Sequence, residues 1–95
     1  MLRREGEVLL LEGPVNIETV PGLVSAAEEH FRQGAGVIDF GGVSEIDSSA
    51  VALALEWVRQ AERTGIALRL VRVPASMENL ARLYGVSELL HTEPA

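Results

Sequence analysis

Two hydrophobic periods alternate along this chain, and each change of period marks a predicted element. Residues 7–13, EVLLLEG, form a short apolar run that predicts a strand, with residues 1–4 expected beside it across a turn at Glu5-Gly6. In TVPGLVSAAEEHF the apolar residues recur as on a helix: Val20, Leu23, Val24, Ala27 and Phe31 share one stripe. Thr19 is placed to cap that helix, and Pro21 fits its first turn, where a missing N–H costs nothing. Gly34 and Gly36 break the pattern, GVIDF over residues 36–40 predicts the next strand, and Gly41-Gly42 is expected to end it. A long helix is predicted over residues 48–63, stopped by Gly65. IALRLVRV, residues 66–73, reads as the following strand, closed by Pro74. Ser76 is expected to cap a further helix, MENLARLY, and Gly85 followed by Val86 has the form of a Schellman stop. Residues 87–90 add one more turn before a loose tail.

The order is strand then helix, three times over. It implies an α/β fold with a small mixed, largely parallel sheet of about four strands and three to four helices mainly on one face. At 95 residues the chain is expected to be a single domain, 1–95, because a chain of this length buries roughly 60–65% of its unfolded surface in one modest core. In open sheets of this kind functional loops gather beyond the carboxyl ends of the strands. Asp47, Ser48 and Ser49 follow the strand expected to end at Phe40, and so fall on that edge.

Composition narrows the class of partner. With 47% apolar and 23% charged residues the chain reads as globular, and its net charge of -6 argues against nucleic acid or an anionic membrane surface as the direct partner. The absence of cysteine removes disulfides, thiolate nucleophiles and cysteine-ligated zinc. The apolar run at residues 8–11 is too short for a signal segment, and no stretch is long enough to span a bilayer, so the expected compartment is the cytoplasm.

Catalytic signatures are missing. His30 and His91 stand far apart in sequence and read as solvated imidazoles, so no metal site is expected. GAGVIDFGG precedes a strand instead of coming after one, which breaks the dinucleotide fingerprint, and a chain without lysine cannot carry the phosphate-loop motif. Neither Ser48 nor Ser49 sits in a nucleophile elbow. No catalytic residue and no cofactor is expected.

The long central helix carries the one unusual surface. Val51, Ala54, Leu55, Trp57, Val58 and Ala61 spread over an arc expected to face the core, and Glu56, Arg59, Gln60 and Arg63 take the opposite arc. Ala52 and Leu53 are expected to project toward the polar side, beside Ser49 and one turn before Glu56. Asp and Ser are ordinary N-cap residues, so Asp47, Ser48 and Ser49 have a structural reading as a helix start, with Ser48 as the cap. The functional reading is a small uncharged docking patch made by the Ser48 hydroxyl with Ala52 and Leu53.

VIDFGGVSEIDSSAVALAL resembles the signature of STAS domains, the fold shared by anti-sigma factor antagonists and the cytosolic tails of sulfate transporters. LEGPVNIETVPGL resembles the same family's strand, turn and first helix. In the antagonists the first hydroxyl after the aspartate is the phosphoacceptor, and the resemblance places Ser48 there. Ala50 stands where the family usually has glycine, and Asn16 where the phospho-switched antagonists carry an aspartate. NLARLYGVSELL is similar to the small, MlaB-like STAS subunit of the bacterial Mla phospholipid-transport ABC system, in which the matched hydroxyl is a threonine needed for function. That resemblance implies a non-catalytic subunit docked on a cytosolic ABC-type ATPase and so held peripherally at the inner membrane. Asp47, Ser48, Ser49, Ala52, Leu53 and Glu56 would then form the interface. The antagonist branch implies instead an anti-sigma factor kinase as partner and a phosphate on Ser48. An exposed patch around Leu53 would also favour weak homodimers of the isolated chain.

Overall fold

In the computed structural model, which describes residues 1–94, β1 (Leu2–Glu5) and β2 (Val8–Val15) form an antiparallel hairpin. The chain continues through α1 (Val20–Ala26), α2 (Glu28–Arg32), β3 (Val37–Ile46), α3 (Ser49–Arg63), β4 (Arg69–Val73) and α4 (Ala75–Leu83), then a 3₁₀ turn (Ser87–Leu89) and β5 (Thr92–Pro94). The strands lie side by side in chain order, and every pair after the first hairpin is parallel. The sheet thus has five strands where about four were expected. The segment expected to be a loose tail pairs with β4, Thr92 opposite Leu70 and Glu93 opposite Val71; Ala95 lies outside the described residues.

Alternation along the strands separates two faces. Leu9, Leu11, Ile38, Phe40 and Leu70 point to one side and are buried, and the helices cover them with Leu23, Phe31, Val51, Trp57 and Met77. α3 is the central helix of that layer. Its Trp57 indole N–H donates to the Leu23 carbonyl at 3.1 Å and its Gln60 amide to the Val24 carbonyl at 3.0 Å, which fastens α3 to α1. Gln60, expected on the polar arc, is therefore buried. His30 also departs from expectation: its Nδ1 is buried without a hydrogen-bond partner.

Among the described residues no helix covers the opposite face of the sheet, yet Val8, Leu10, Val37 and Val71 on it are half-buried. Long charged side chains lie across them as ion pairs: Arg3 with Glu5 (2.6 Å) and Glu12 (3.3 Å), and Arg69 with Glu93 (2.6 Å). Exposed pairs contribute little stability by themselves, about 0–1 kcal/mol. Their aliphatic stems shield the apolar stripe from water while the charges cancel in place.

Several boundaries moved for identifiable reasons. The helix expected as one piece across residues 19–31 is divided into α1 and α2 at Ala27, whose backbone stays near helical values (φ -95°, ψ -23°). Thr19 does not cap it. Its hydroxyl donates to the Pro14 carbonyl at 3.0 Å, while Asn16 Oδ1 accepts the N–H groups of Glu18 (3.0 Å) and Thr19 (3.2 Å). α4 starts earlier than predicted because the Pro74 carbonyl already accepts from Met77 (3.0 Å) and Glu78 (3.1 Å), which leaves Ser76 inside the first turn. The stops agree with the sequence: Val86 N–H donates to the Ala81 carbonyl (2.9 Å) and Gly85 N–H to Arg82 (3.0 Å), the paired bonds of a Schellman motif, and Ile66 with Gly65 repeats them at the end of α3.

Gly41-Gly42 does not end β3. Pairing with β4 stops at Asp39, but pairing with β2 runs on through register shifts to Val15 opposite Ile46. Glycine inside a strand often marks a close approach, and here the Arg72 guanidinium lies over Gly41 where a Cβ would sit. Arg72 is left-handed (φ 53°) and occupies a bulge that turns both Val71 and Arg72 outward and returns Val73 to the core. From there its Nε and terminal nitrogen each donate to Asp39 at 2.9 Å, and the Gly41 N–H adds a third bond at 2.8 Å. These bonds, the Arg72 side chain first, hold the Asp39 carboxyl below its ordinary pKa. The clasp stabilises the fold above the ordinary carboxylate range and is lost as pH falls through the lowered value. We expect Arg72→Gly to unfold at higher urea than Arg72→Ala. Both lose the clasp, but glycine is released from the left-handed strain; the reverse order of urea midpoints would show that the backbone there is unstrained.

Candidate functional site

The site is built where β3 ends against β2. The Asp47 N–H donates to the Val15 carbonyl at 3.2 Å, so the last strand pairing places the Asp47 side chain between the β2–α1 loop and the start of α3. One carboxylate oxygen accepts the Ile17 N–H at 3.2 Å. The other accepts the Ser49 N–H at 2.9 Å and also the Ser49 hydroxyl. Those bonds, the Ser49 hydroxyl first, hold the Asp47 carboxyl below its ordinary pKa. Asp47 therefore performs the capping that was expected of Ser48.

Ser48 already has helical backbone angles (φ -63°, ψ -21°), and its hydroxyl makes no hydrogen bond to the helix. A serine caps a helix from non-helical backbone angles, and with helical ones its short side chain does not reach the free N–H groups of the first turn. The exposed hydroxyl is thus available to something outside the chain. Ala50 comes two residues later, fully buried in an ordinary helical turn, so nothing at this position demands glycine. Asn16 supplies the same acceptor to the loop backbone that an aspartate would.

Along α3 the outward stripe is Ser48, Ala52, Leu55 and Arg59, at helical spacing. Leu53 is not on it. It lies one turn before Trp57 on the same stripe, is 1% exposed and belongs to the core, which corrects its assignment to a docking patch. Leu55 takes the place given to Leu53: it is half-buried and lines a shallow groove of about 370 Å³ together with Ser48, Ser49, Val51, Ala52, Tyr84 and Val86. Glu56 is not brought to this groove. It turns toward Arg59 (3.6 Å) and Arg63 (3.8 Å), and Arg63 also approaches Glu28 of α2 (3.9 Å).

Tyr84 and Val86 are the residues that sequence reasoning missed. Tyr84 is the C-cap of α4 and remains 52% exposed, with Leu83 beside it at 76%. The Gly85-Val86 stop is what brings this ring alongside the first turns of α3, so the signal lay in a motif read as punctuation. None of the groove's lining residues is charged. Its lining combines the serine side chains of Ser48 and Ser49, the Tyr84 phenol and the aliphatic carbon of Val51, Ala52, Leu55 and Val86. Among the described residues no cluster of three or more His, Asp or Glu is placed to hold a metal, and no helix is long and apolar enough to cross a membrane.

An α/β sheet with its helices on one face and a hydroxyl presented at the start of the central helix is the STAS arrangement. The solved structure of the anti-sigma factor antagonist SpoIIAA in its unphosphorylated form is similar over the whole of this chain and 86% of that one, with a TM-score of 0.73 at 22% sequence identity. The family model described as "Mlab, STAS domain" matches residues 1–91, and the chain belongs to that family. No curated protein matches it by sequence.

The division of labour at the helix start is testable by thermal unfolding. Asp47→Ala should lower the midpoint, while Ser48→Ala should stay within about 0.5 kcal/mol of the parent. Because the Asp47 pKa is lowered on folding, its contribution is present above its unfolded pKa and vanishes as pH falls through the folded value. The gap between parent and Asp47→Ala should therefore close below about pH 4.

Proposed function

We propose that this protein is a non-catalytic accessory subunit that docks on the cytosolic ATPase of an Mla-type phospholipid-transport ABC complex at the inner membrane. The observation that carries the reading is the uncharged groove between α3 and the end of α4, opened by the unbonded Ser48 hydroxyl, in a chain of the MlaB-type family. Shallow apolar surface bordered by a few polar atoms is what protein interfaces bury at their centre. Ser48 and Ala52 with Leu55 form one wall of the contact and Tyr84 the other, and aromatic anchors of this kind supply much of an interface's affinity. Asp47 positions the loop without meeting the partner directly.

A second reading rests on the same hydroxyl. Ser48 is exposed, unbonded and at a helix start, the properties a phosphoacceptor needs, and the fold is that of an antagonist. A serine kinase acting as an anti-sigma factor would then be the partner. Incubation with such a kinase and ATP would give a phosphoserine visible by intact mass; an unchanged mass removes this reading.

Binding to the purified cognate ATPase separates the residues. Ala52→Arg should abolish the complex and Tyr84→Ala should weaken it at least tenfold, both with unchanged thermal midpoints. Leu53→Ala should instead act on the fold, at about 2–5 kcal/mol. Wild-type affinity in Ala52→Arg would refute the groove as the docking site.

A further inference from the structure

The other flank of α4 carries a second recess. On this helix Met77 and Ala81 face the core, Tyr84 leans toward α3, and Glu78 with Arg82 take the side turned to β5. Between that flank and the last strand lies a groove of about 280 Å³ whose floor is Val73, Met77, Ala81 and Leu90. β5 is the sheet's last strand, and beyond α4 the helix layer holds a single 3₁₀ turn in place of a full helix.

Its rim charges are unsettled. Glu78 and Arg82 are one turn apart, a spacing that commonly pairs, yet no ion pair joins them among the described residues. Six of the eight arginines engage a carboxylate: Arg3, Arg32, Arg59, Arg63, Arg69 and Arg72. Arg82 instead bonds the neutral side chain of Asn79. Arg4, the other arginine without a carboxylate partner, is held by the Gln33 side chain and by the carbonyls of Gly6 and Gln33. At the α4 recess a cation and an anion face the same apolar groove, and together they complement a partner of reversed order.

We propose that this groove receives an amphipathic helical segment of the partner protein, with a bulky apolar side chain on the floor, a basic residue facing Glu78 and an acidic residue facing Arg82. At about 280 Å³ the recess lies at the small end of what ligand sites usually offer, and it has room for one or two side chains of a docked segment. This inference rests on the proposal that the chain is a partner-bound subunit and adds a second contact to it. α4 becomes a ridge held from both sides, by the Ser48–Tyr84 groove and by this one, and two linked contacts raise affinity well beyond either alone.

The test uses the full chain and its purified cognate ATPase, with affinity and thermal midpoint measured together. Ser87 lines the recess from its exposed rim, so Ser87→Trp should fill it without entering the core. We expect Ser87→Trp to weaken the complex at least tenfold at an unchanged midpoint, and Arg82→Glu to weaken it in a way that added salt diminishes. Wild-type affinity in both variants, with Ala52→Arg still abolishing binding, would overturn this inference and leave the docking proposal standing. Failure of the wild-type chain to bind the ATPase would overturn both. A wild-type dimer in sedimentation that Ser87→Trp dissociates would make the occupant a second copy, and would also overturn the inference.

Discussion

The hydrogen bonds that converge on the Asp47 carboxylate organise the edge of the molecule where β3 gives way to α3. This one side chain joins the end of β3, which delivers it, and the first turn of α3, reached through Ser49, to the β2–α1 loop 30 residues earlier, reached through Ile17. A parallel sheet leaves its strand ends and the helix starts beyond them on one edge, each with unsatisfied backbone donors. Asp47 satisfies donors from two of those segments at once. Because it takes the capping role, Ser48 is released from it, and a residue type usually consumed by its own helix is left pointing at solvent.

The same economy explains the two grooves. α3 must bury a wide arc, since it meets the sheet beneath and α1 beside it, where Trp57 and Gln60 donate to the carbonyls of Leu23 and Val24. That demand consumes Leu53 and leaves Ala52 and Leu55 for the outside. α4 is shorter, buries Met77 and Ala81, and leaves both of its flanks open. One flank is bordered by uncharged residues and the other by opposed charges. On the far side of the sheet the arginines and glutamates cover their own apolar stripe. Of the exposed large apolar side chains among the described residues, Leu83, Tyr84 and Leu89 lie within a few residues at the end of α4, while Met1 and Ile17 lie elsewhere in the chain.

Much of this is legible in the sequence because local rules and global fold agree. The strand and helix order, the Gly65 and Gly85 stops and the placement of Asp47-Ser48-Ser49 beyond β3 all come from period and turn chemistry. The departures fall where a long-range partner decides. Gly41-Gly42 reads as punctuation until Arg72 is seen lying over it, and residues 92–94 read as a tail until β4 offers them an edge. Leu53 is a different case: its spacing to Trp57 puts both on one stripe, so its burial is available from helical geometry alone. For Tyr84 the Gly85-Val86 stop shows where α4 ends, but not that this end meets α3, a contact that only the tertiary fold supplies.

The two functional readings differ in what a charge at Ser48 would meet. The N–H groups of Ser49, Ala50 and Val51 are already engaged, by the Asp47 side chain and by the carbonyls of Asp47 and Ser48. A phosphate on Ser48 would therefore gain less from the helix N-terminus than a bare helix offers, and it would stand beside the Asp47 carboxylate with no arginine among the lining residues of the groove. Such a group has no reason to refold the site. It would change what the groove accepts, placing roughly -1.5 to -2 of charge at the mouth of an apolar contact and repelling whatever seats there. A hydroxyl in the same position costs the contact little and can bond across it. An uncharged hydroxyl at this position therefore suits an apolar contact better than a phosphate does.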